Sequence, residues 1–305
     1  NQQIGLYPYQ QTISLGHDYP FGGSIASGAA VTTLPNQNIR WETTKMTDVG
    51  LDVTVLDGKL SFYADYFQKN TYYILYNISV STVLGMTPSE QNAGTVENRG
   101  WDFEMVHKNK IGDFAYSFHP NFSFVSNEVT KLANVEKDIG KGLFVGEPLE
   151  AIYGYIADGL FVDQQDIDNY ADQNYNAEPG TIRYKDISGP DGVPDNIISS
   201  DYDQKVIGSG IPKYIYGMGI TADYKGFDLY IQLQGEGGMQ RQPTGYMFAF
   251  HNGGNIQQWQ WDERWSEENP DRNAAYPRMQ PTADHITRTS TFWNLDASYL
   301  RIKNI

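Results

Sequence analysis

The chain has 305 residues, a formal net charge of −15 and no Cys, which removes disulfide frameworks and thiolate metal sites and argues against the basic face that nucleic-acid binding uses. Its mean hydropathy is −0.52, and no run approaches the ~20 apolar residues of a spanning helix, so a helical membrane protein is excluded. A β-barrel is not excluded, because only alternate residues of its strands face lipid.

Residues 1–40 are rich in Gly, Ser, Pro, Gln and Tyr, show no sustained period, and read as a loop. Four strands are expected over 41–130. From Lys45 the period is two, with Val49, Leu51, Val53 and Val55 on one face and Asp48, Gly50, Asp52 and Thr54 on the other. Asp57-Gly58 is a hairpin signal, and the return strand places Leu60, Phe62, Ala64 and Tyr66 together. The third strand sets Trp101, Phe103 and Met105 against Asp102 and Glu104. Arg99 and Glu97 share the parity of Trp101 and belong at the rim, since Arg facing lipid costs about 2–4 kcal/mol at mid-depth but about 0–1 near an interface. In the fourth strand Phe114, Tyr116, Phe118, Phe122 and Phe124 oppose Ala115, Ser117, His119, Asn121 and Ser123. Pro120 interrupts it, and a local bulge is expected there.

A long loop is expected over 131–213, then a hairpin over 214–238. Its first strand carries Tyr214, Tyr216, Met218, Ile220, Ala222 and Tyr224 on one face, with aromatics at both ends and aliphatics between. That is the order of a lipid-facing strand with two interfacial girdles. Its second carries Phe227, Leu229, Ile231 and Leu233 opposite Asp228, Tyr230, Gln232 and Gln234. A second long loop follows over 239–296, and a further strand starts in 297–305. The turns at 56–60, 108–113 and 224–227 are short, whereas the connections near 76–94, 126–213 and 237–297 are long. Alternation alone also fits a soluble β-protein with a half-buried sheet. Short turns at one end and long ones at the other favour a transmembrane β-barrel, with tight periplasmic turns and long extracellular loops. The chain opens at Asn1 without a signal-like segment and stops at Ile305 within a strand pattern, which reads as an internal piece of a longer protein.

Six segments carry a resemblance: NIRWETTKMTDVGLDV (38–53), NAGTVENRGWDFEM (92–105), GEPLEAIYGYIADGLF (146–161), PGTIRYKDISGPDG (179–192), KYIYGMGITADYKGFDLYIQLQG (213–235) and ASYLRIKNI (297–305). In this order they resemble the C-terminal barrel region of the SusC/RagA family, TonB-dependent outer-membrane transporters of Bacteroidota. The resemblance implies an all-β fold, here a partial antiparallel transmembrane β-barrel. About seven strands would be present of a twenty-two-stranded barrel that a plug domain fills. It also implies a Gram-negative outer membrane as the location, with its lipid around the wall. A SusD-like lipoprotein would cover the mouth, energy would come from TonB, ExbB and ExbD, and the cargo would be glycans or peptides. Seven strands cannot close a barrel, and open edges are not tolerated against lipid, so the chain alone is not expected to transport. The competing functions are a soluble carbohydrate-binding or carbohydrate-degrading β-protein and a passive porin.

Two loop clusters are candidate sites. Asp186, Ser188, Asp191, Val193 and Asp195 lie in KDISGPDGVPDN, where oxygen ligands near a Gly turn suit calcium. The family often carries a DxNGDG-like sequence at this place. Pro190 offsets the spacing, and Ile198 stands where a closing acid would fall; the alternative is an acidic turn without metal. Trp259, Trp261 and Trp265 form the second cluster. Trp261 and Trp265, four apart, are expected to share a helix face. Their rings suit a sugar, a peptide or the lid, or pack on the barrel rim. Neighbouring acids such as Asp262 and Glu263, or Glu267 and Glu268, do not face each other on a helix and give no glycosidase pair. The five His show no HExxH spacing, so no enzyme is expected. Asp48, Asp52, Asp102, Glu104 and Asp228 have the parity of the barrel lumen, where they would meet the plug or line the substrate path.

Overall fold

Seven strands of alternating character pair in sequence order: β1 (Thr43–Val55), β2 (Leu60–Tyr76), β3 (Gln91–Ile111), β4 (Phe114–Leu132), β5 (Tyr214–Tyr224), β6 (Phe227–Gly237) and β7 (Tyr299–Asn304). The computed structural model describes residues 7–76, 83, 85–133, 135–244, 255–279 and 288–305. The sheet runs β7-β6-β5-β4-β3-β2-β1, an up-and-down meander with β1 and β7 as open edges. Its short turns lie at one end. Lys225 (φ 49°) and Gly226 (φ 91°) occupy the left-handed region together, the geometry of a two-residue hairpin whose twist matches the flanking strands. The longer connections all leave from the other end of the strands.

Because side chains alternate, register decides which residues share a face. The register aligns Leu51 with Ala64, Ala64 with Phe103, Phe103 with Phe122 and Phe122 with Tyr216. One strand step on, Val53, Phe62 and Met105 form the next row, and Pro120 stands beside Met218. This apolar face has no second layer over it among the described residues: Leu51 is 58% exposed and Tyr224 49%. A soluble sandwich would bury these positions.

The bulge expected at Pro120 is absent. Phe118 pairs with His107 and Asn121 with Glu104 in one register, and Pro120 keeps its place opposite Met218. The missing N–H removes ladder bonds without inserting a residue. The register shift instead lies between Val129 and Lys131. Strands β2, β3 and β4 are also longer than expected, at 17, 21 and 19 residues. At ~3.3 Å per residue, β3 spans roughly 70 Å, more than twice a ~30 Å hydrocarbon core. Beyond its apolar part the wall is closed by a small cluster of Val96, Val129 and Leu132, with Ile74, Tyr76 and Leu149 against it. The loop expected over 1–40 contains short paired strands, Ser14–Leu15 with Ala29–Ala30 and Tyr19–Phe21 with Ser24–Ala26.

The segments expected as two separate loops build one compact unit, Glu150–Lys213 with Gly235–Leu300. Small antiparallel pairs, Ala151–Tyr155 with Gln204–Ser209 and Ala157–Leu160 with Ile182–Tyr184, frame it. Two five-residue helices accompany them, α1 (Gln164–Asp168) and α2 (Gln258–Asp262). Its core holds Leu160, Ile182, Tyr184, Ile198, Trp265, Tyr276 and Trp293. The two sequence segments therefore fold on each other, as the bond from Ala157 N–H to Thr291 Oγ1 (2.8 Å) shows.

Candidate functional site

The two faces of the wall are chemically opposite. On the apolar face, aromatic rings cluster toward the long-connection end: Tyr66 and Trp101 have centroids 5.1 Å apart, and Phe124 and Tyr214 5.7 Å. Aliphatic positions follow, and Phe114 and Tyr116 (5.8 Å) with Tyr224 mark the short-turn end. Arg99 lies 12 positions before Ile111, at the long-connection side of the aromatic band, where Glu97 pairs with it at 3.4 Å. Two girdles flanking an apolar belt are what a bilayer selects.

The other face is polar and acidic. Asp52, Tyr63, Glu104, Asn121 and Gly217 follow one another across five strands. In the neighbouring row Gly50, Asp65, Asp102 and Ser123 align. A Cβ at Gly50 would stand 2.2 Å from Asp65 Oδ1, so glycine there admits the carboxylate. Among the described residues none of Asp48, Asp52, Asp65, Asp102, Glu104 or Asp228 has a described ion pair. His119 bonds Ser117 on this same face.

The Asp186 cluster does not converge. Asp186 Oδ2 accepts from the Asn196 N–H (2.5 Å) and Asp195 Oδ1 from the Ile197 N–H (3.0 Å). Asp191 and Val193 point to solvent, and Ser188 Oγ donates to the Gly189 carbonyl (3.4 Å). Among the described residues no three acidic or imidazole side chains stand close enough to share an ion. One feature is left open: Asp186 Oδ1 is buried without a partner. Ile198 is buried in the core. Asp203, which the sequence did not single out, organises the loop. It is fully buried and accepts from the N–H groups of Ile187 (2.8 Å), Ser188 (3.3 Å) and Ser199 (2.7 Å). Nothing local distinguishes Asp203 from its exposed neighbour Asp201.

The three Trp have three separate fates. Helix α2 ends at Asp262, so Trp261 and Trp265 share no helix face. Trp265 is 4% exposed and sits in the core, and Trp259 packs edge-on to Tyr276 at 6.0 Å. Trp261 alone faces solvent, 50% exposed, with the Arg264 guanidinium 3.5 Å above its ring.

The best-buried ion pairs belong to a structural network. Arg183 bridges Asp158 (2.6 Å) and Asp166 (2.9 Å), and Arg272 reaches Asp166 at 2.9 Å. Burial pushes the Asp166 carboxyl up, but the Val162 N–H, the Arg272 hydrogen bond and the two guanidinium charges together bring it below the ordinary value. Burial raises the Tyr175 phenol to about 12 against the opposing effects of Thr181 and Arg288. Neither group is poised for proton transfer near neutrality.

No family model matches the chain. TonB-dependent receptor P3 of Formosa agariphila is 27% identical over 315 residues, covering 98% of this chain and 30% of that protein. TonB-dependent receptor SusC of Bacteroides thetaiotaomicron is 26% identical over 235 residues, 71% of this chain and 21% of SusC. The RagAB peptide transporter superposes with a TM-score of 0.76 at 20% identity, over 99% of this chain and 32% of that one. Over most of its length the chain is similar to TonB-dependent receptors, SusC among them. The seven strands therefore have the fold of part of such a β-barrel wall. The relatives are receptors and transporters rather than enzymes. The chain spans about a third or less of the length of these relatives.

Proposed function

We propose that this chain supplies wall and loops to an active importer of oligosaccharides or peptides in a Gram-negative outer membrane. The observation that carries this reading is the wall itself: one apolar, aromatic-banded face left uncovered and one polar face, with all short turns at one end. In a bilayer the apolar face meets lipid and the polar face meets the lumen. The short turns then belong to the periplasm, and residues 150–213 and 235–300, which lie within the long connections, to the outside. Energy would come through TonB, ExbB and ExbD, and a SusD-like lipoprotein would cap the mouth. Trp261 is an exposed loop aromatic available to cargo or lid. Deletion of the receptor gene together with its lipoprotein neighbour should abolish growth on one glycan or peptide source; unchanged growth on every source would remove the assignment.

The buried, unpartnered Asp186 Oδ1 favours one addition, a calcium ion bound at that oxygen in the loop of Ser188, Asp191, Val193 and Asp195. Calorimetric titration of the native receptor should then show binding heat that Asp186→Ala abolishes. No heat, or the same heat in the variant, leaves an acidic turn closed by its own backbone.

A further inference from the structure

Two β-bulges stand at one height on the strands that flank Thr95 of β3. In β2 the register slips between Tyr72 and Ile74, and in β4 between Val129 and Lys131. Each slip turns two successive side chains to the same face. Ile74, Val129 and Leu132 stay on the inner side, in the cluster with Val96. Tyr72, Tyr73, Thr130 and Lys131 therefore join Thr95 on the face of Trp101, where they line a pocket of about 660 Å³. Its wall is held in place. Tyr73 keeps φ 60°, uncommon for a bulky residue, with the Arg40 guanidinium 4.4 Å over its ring and its carbonyl accepting from Asn92 Nδ2 (2.7 Å). Among the described residues Lys131 has no described ion pair. Closing the sheet into a barrel covers its edges and its lumen and leaves this face outside.

We propose that this outward pocket holds the saccharide headgroup of a phosphorylated glycolipid anchored in the outer leaflet. The proposal rests on the reading of the apolar face as the lipid side of an outer-membrane wall. Height selects the ligand. Thr95 precedes Trp101 of the aromatic band by six positions; at ~3.3 Å per residue and a ~40° tilt, that is roughly 15 Å above the band. A phospholipid headgroup layer is about 5–8 Å deep and falls short, whereas a headgroup of several sugars spans the distance. Charge agrees. On this face above the band, Lys45, Arg99 and Lys131 stand against Glu97 and Glu128, a net positive strip on a chain of charge −15. Arg99 comes first above the band and is half-exposed, with Glu97 3.4 Å away. Gln68 in turn holds Glu97 (2.7 Å), so the guanidinium is set at the depth of lipid phosphates. In the pocket the rings of Tyr72 and Tyr73 offer flat faces to sugar C–H groups, and the Thr95 and Thr130 hydroxyls and the Lys131 ammonium match sugar hydroxyls and phosphate.

The test offers four probes to the native receptor, purified in detergent and stripped of lipid: lipopolysaccharide made of lipid A with inner-core sugars, lipid A alone, the same core oligosaccharide freed of lipid, and phosphatidylethanolamine. Native mass spectrometry reads what each barrel retains, and heat-modifiable electrophoretic mobility confirms assembly. The core-bearing glycolipid should bind at least tenfold more tightly than each of the other three. Tyr72→Ala and Lys131→Glu should each cut that preference at least fivefold, whereas Lys69→Glu, an exposed change on the opposite face of β2, should leave it as it was. Equal retention of lipid A or of the free oligosaccharide, no retention of any probe, or an unchanged preference in both assembled variants overturns the proposal. A changed oligomeric state with an unchanged preference would assign the pocket to a second copy of the receptor and overturns it too. Labels at Ile220 and Thr221 test independently whether the apolar face meets lipid, so the pocket can fail while the wall stands.

Discussion

Asp65 and Asp102 face each other directly across the β2–β3 ladder, and among the described residues neither has a described ion pair. Like charges in register oppose strand pairing, on a scale of ~0.2–1 kcal/mol. Asp102→Asn should therefore leave the native receptor at least as resistant to thermal unfolding in detergent. A fall in the unfolding temperature would show that a cation from elsewhere in the receptor sits against the pair.

Position on the outer face should set the cost of charge. Met218→Arg, in the aliphatic middle of β5, should destabilise the barrel by about 2–4 kcal/mol in lipid vesicles, and Tyr214→Arg, in the aromatic band, by about 0–1 kcal/mol. Equilibrium unfolding by urea measures both. Equal costs would contradict the assigned depths.

In the loop unit Trp265→Ala should cost about 3–5 kcal/mol by emptying a core site. Trp261→Ala should stay within about 0.5 kcal/mol, as an exposed substitution. Limited proteolysis of the native receptor reads the difference as accelerated cleavage in the first variant alone.

The Asp166 network gives the loop unit a sensitivity to acid. Its carboxyl titrates below the ordinary value of 3.8 when folded. Its stabilisation is therefore complete above that value and is lost as pH falls through the lowered folded-state value. Hydrogen exchange at α1 should rise across that window, and Asp166→Asn should remove the added acid dependence while weakening the unit at neutral pH. An unchanged acid limb in the variant would place the effect elsewhere.

The wall was legible in the sequence because its information is local. Period-two alternation is set by the pleat, and the hairpins of β1–β2, β3–β4 and β5–β6 join neighbours through tight turns. What lies beyond the lipid was harder to see. Residues 91–99 of β3 and 126–132 of β4 alternate weakly, since both of their faces tolerate polar groups, and their strand character comes from pairing with each other. The loop unit was illegible for a different reason. Its strands run two to six residues, and its core joins Tyr155 to Trp293 and Leu160 to Tyr276, partners over a hundred residues apart with no turn between to mark them. Trp265 was expected to share a helix face with Trp261, on spacing alone, but the helix stops at Asp262 and Trp265 enters the core of the loop unit. Asp203 left no trace, because a carboxylate that caps backbone N–H groups looks like any other acid until the loop closes around it.

Spin labels on β5 test the central claim most directly. Single Cys substitutions at Ile220 and Thr221, neighbours on opposite faces, are labelled in a Cys-free native receptor reconstituted into lipid bilayers, and collisions with dissolved oxygen and with a water-soluble nickel complex are compared. The account predicts that the label at 220 meets oxygen and excludes nickel, and that the label at 221 does not share that lipid signature. The reverse pattern, or two labels alike, would contradict a wall with lipid on its apolar face.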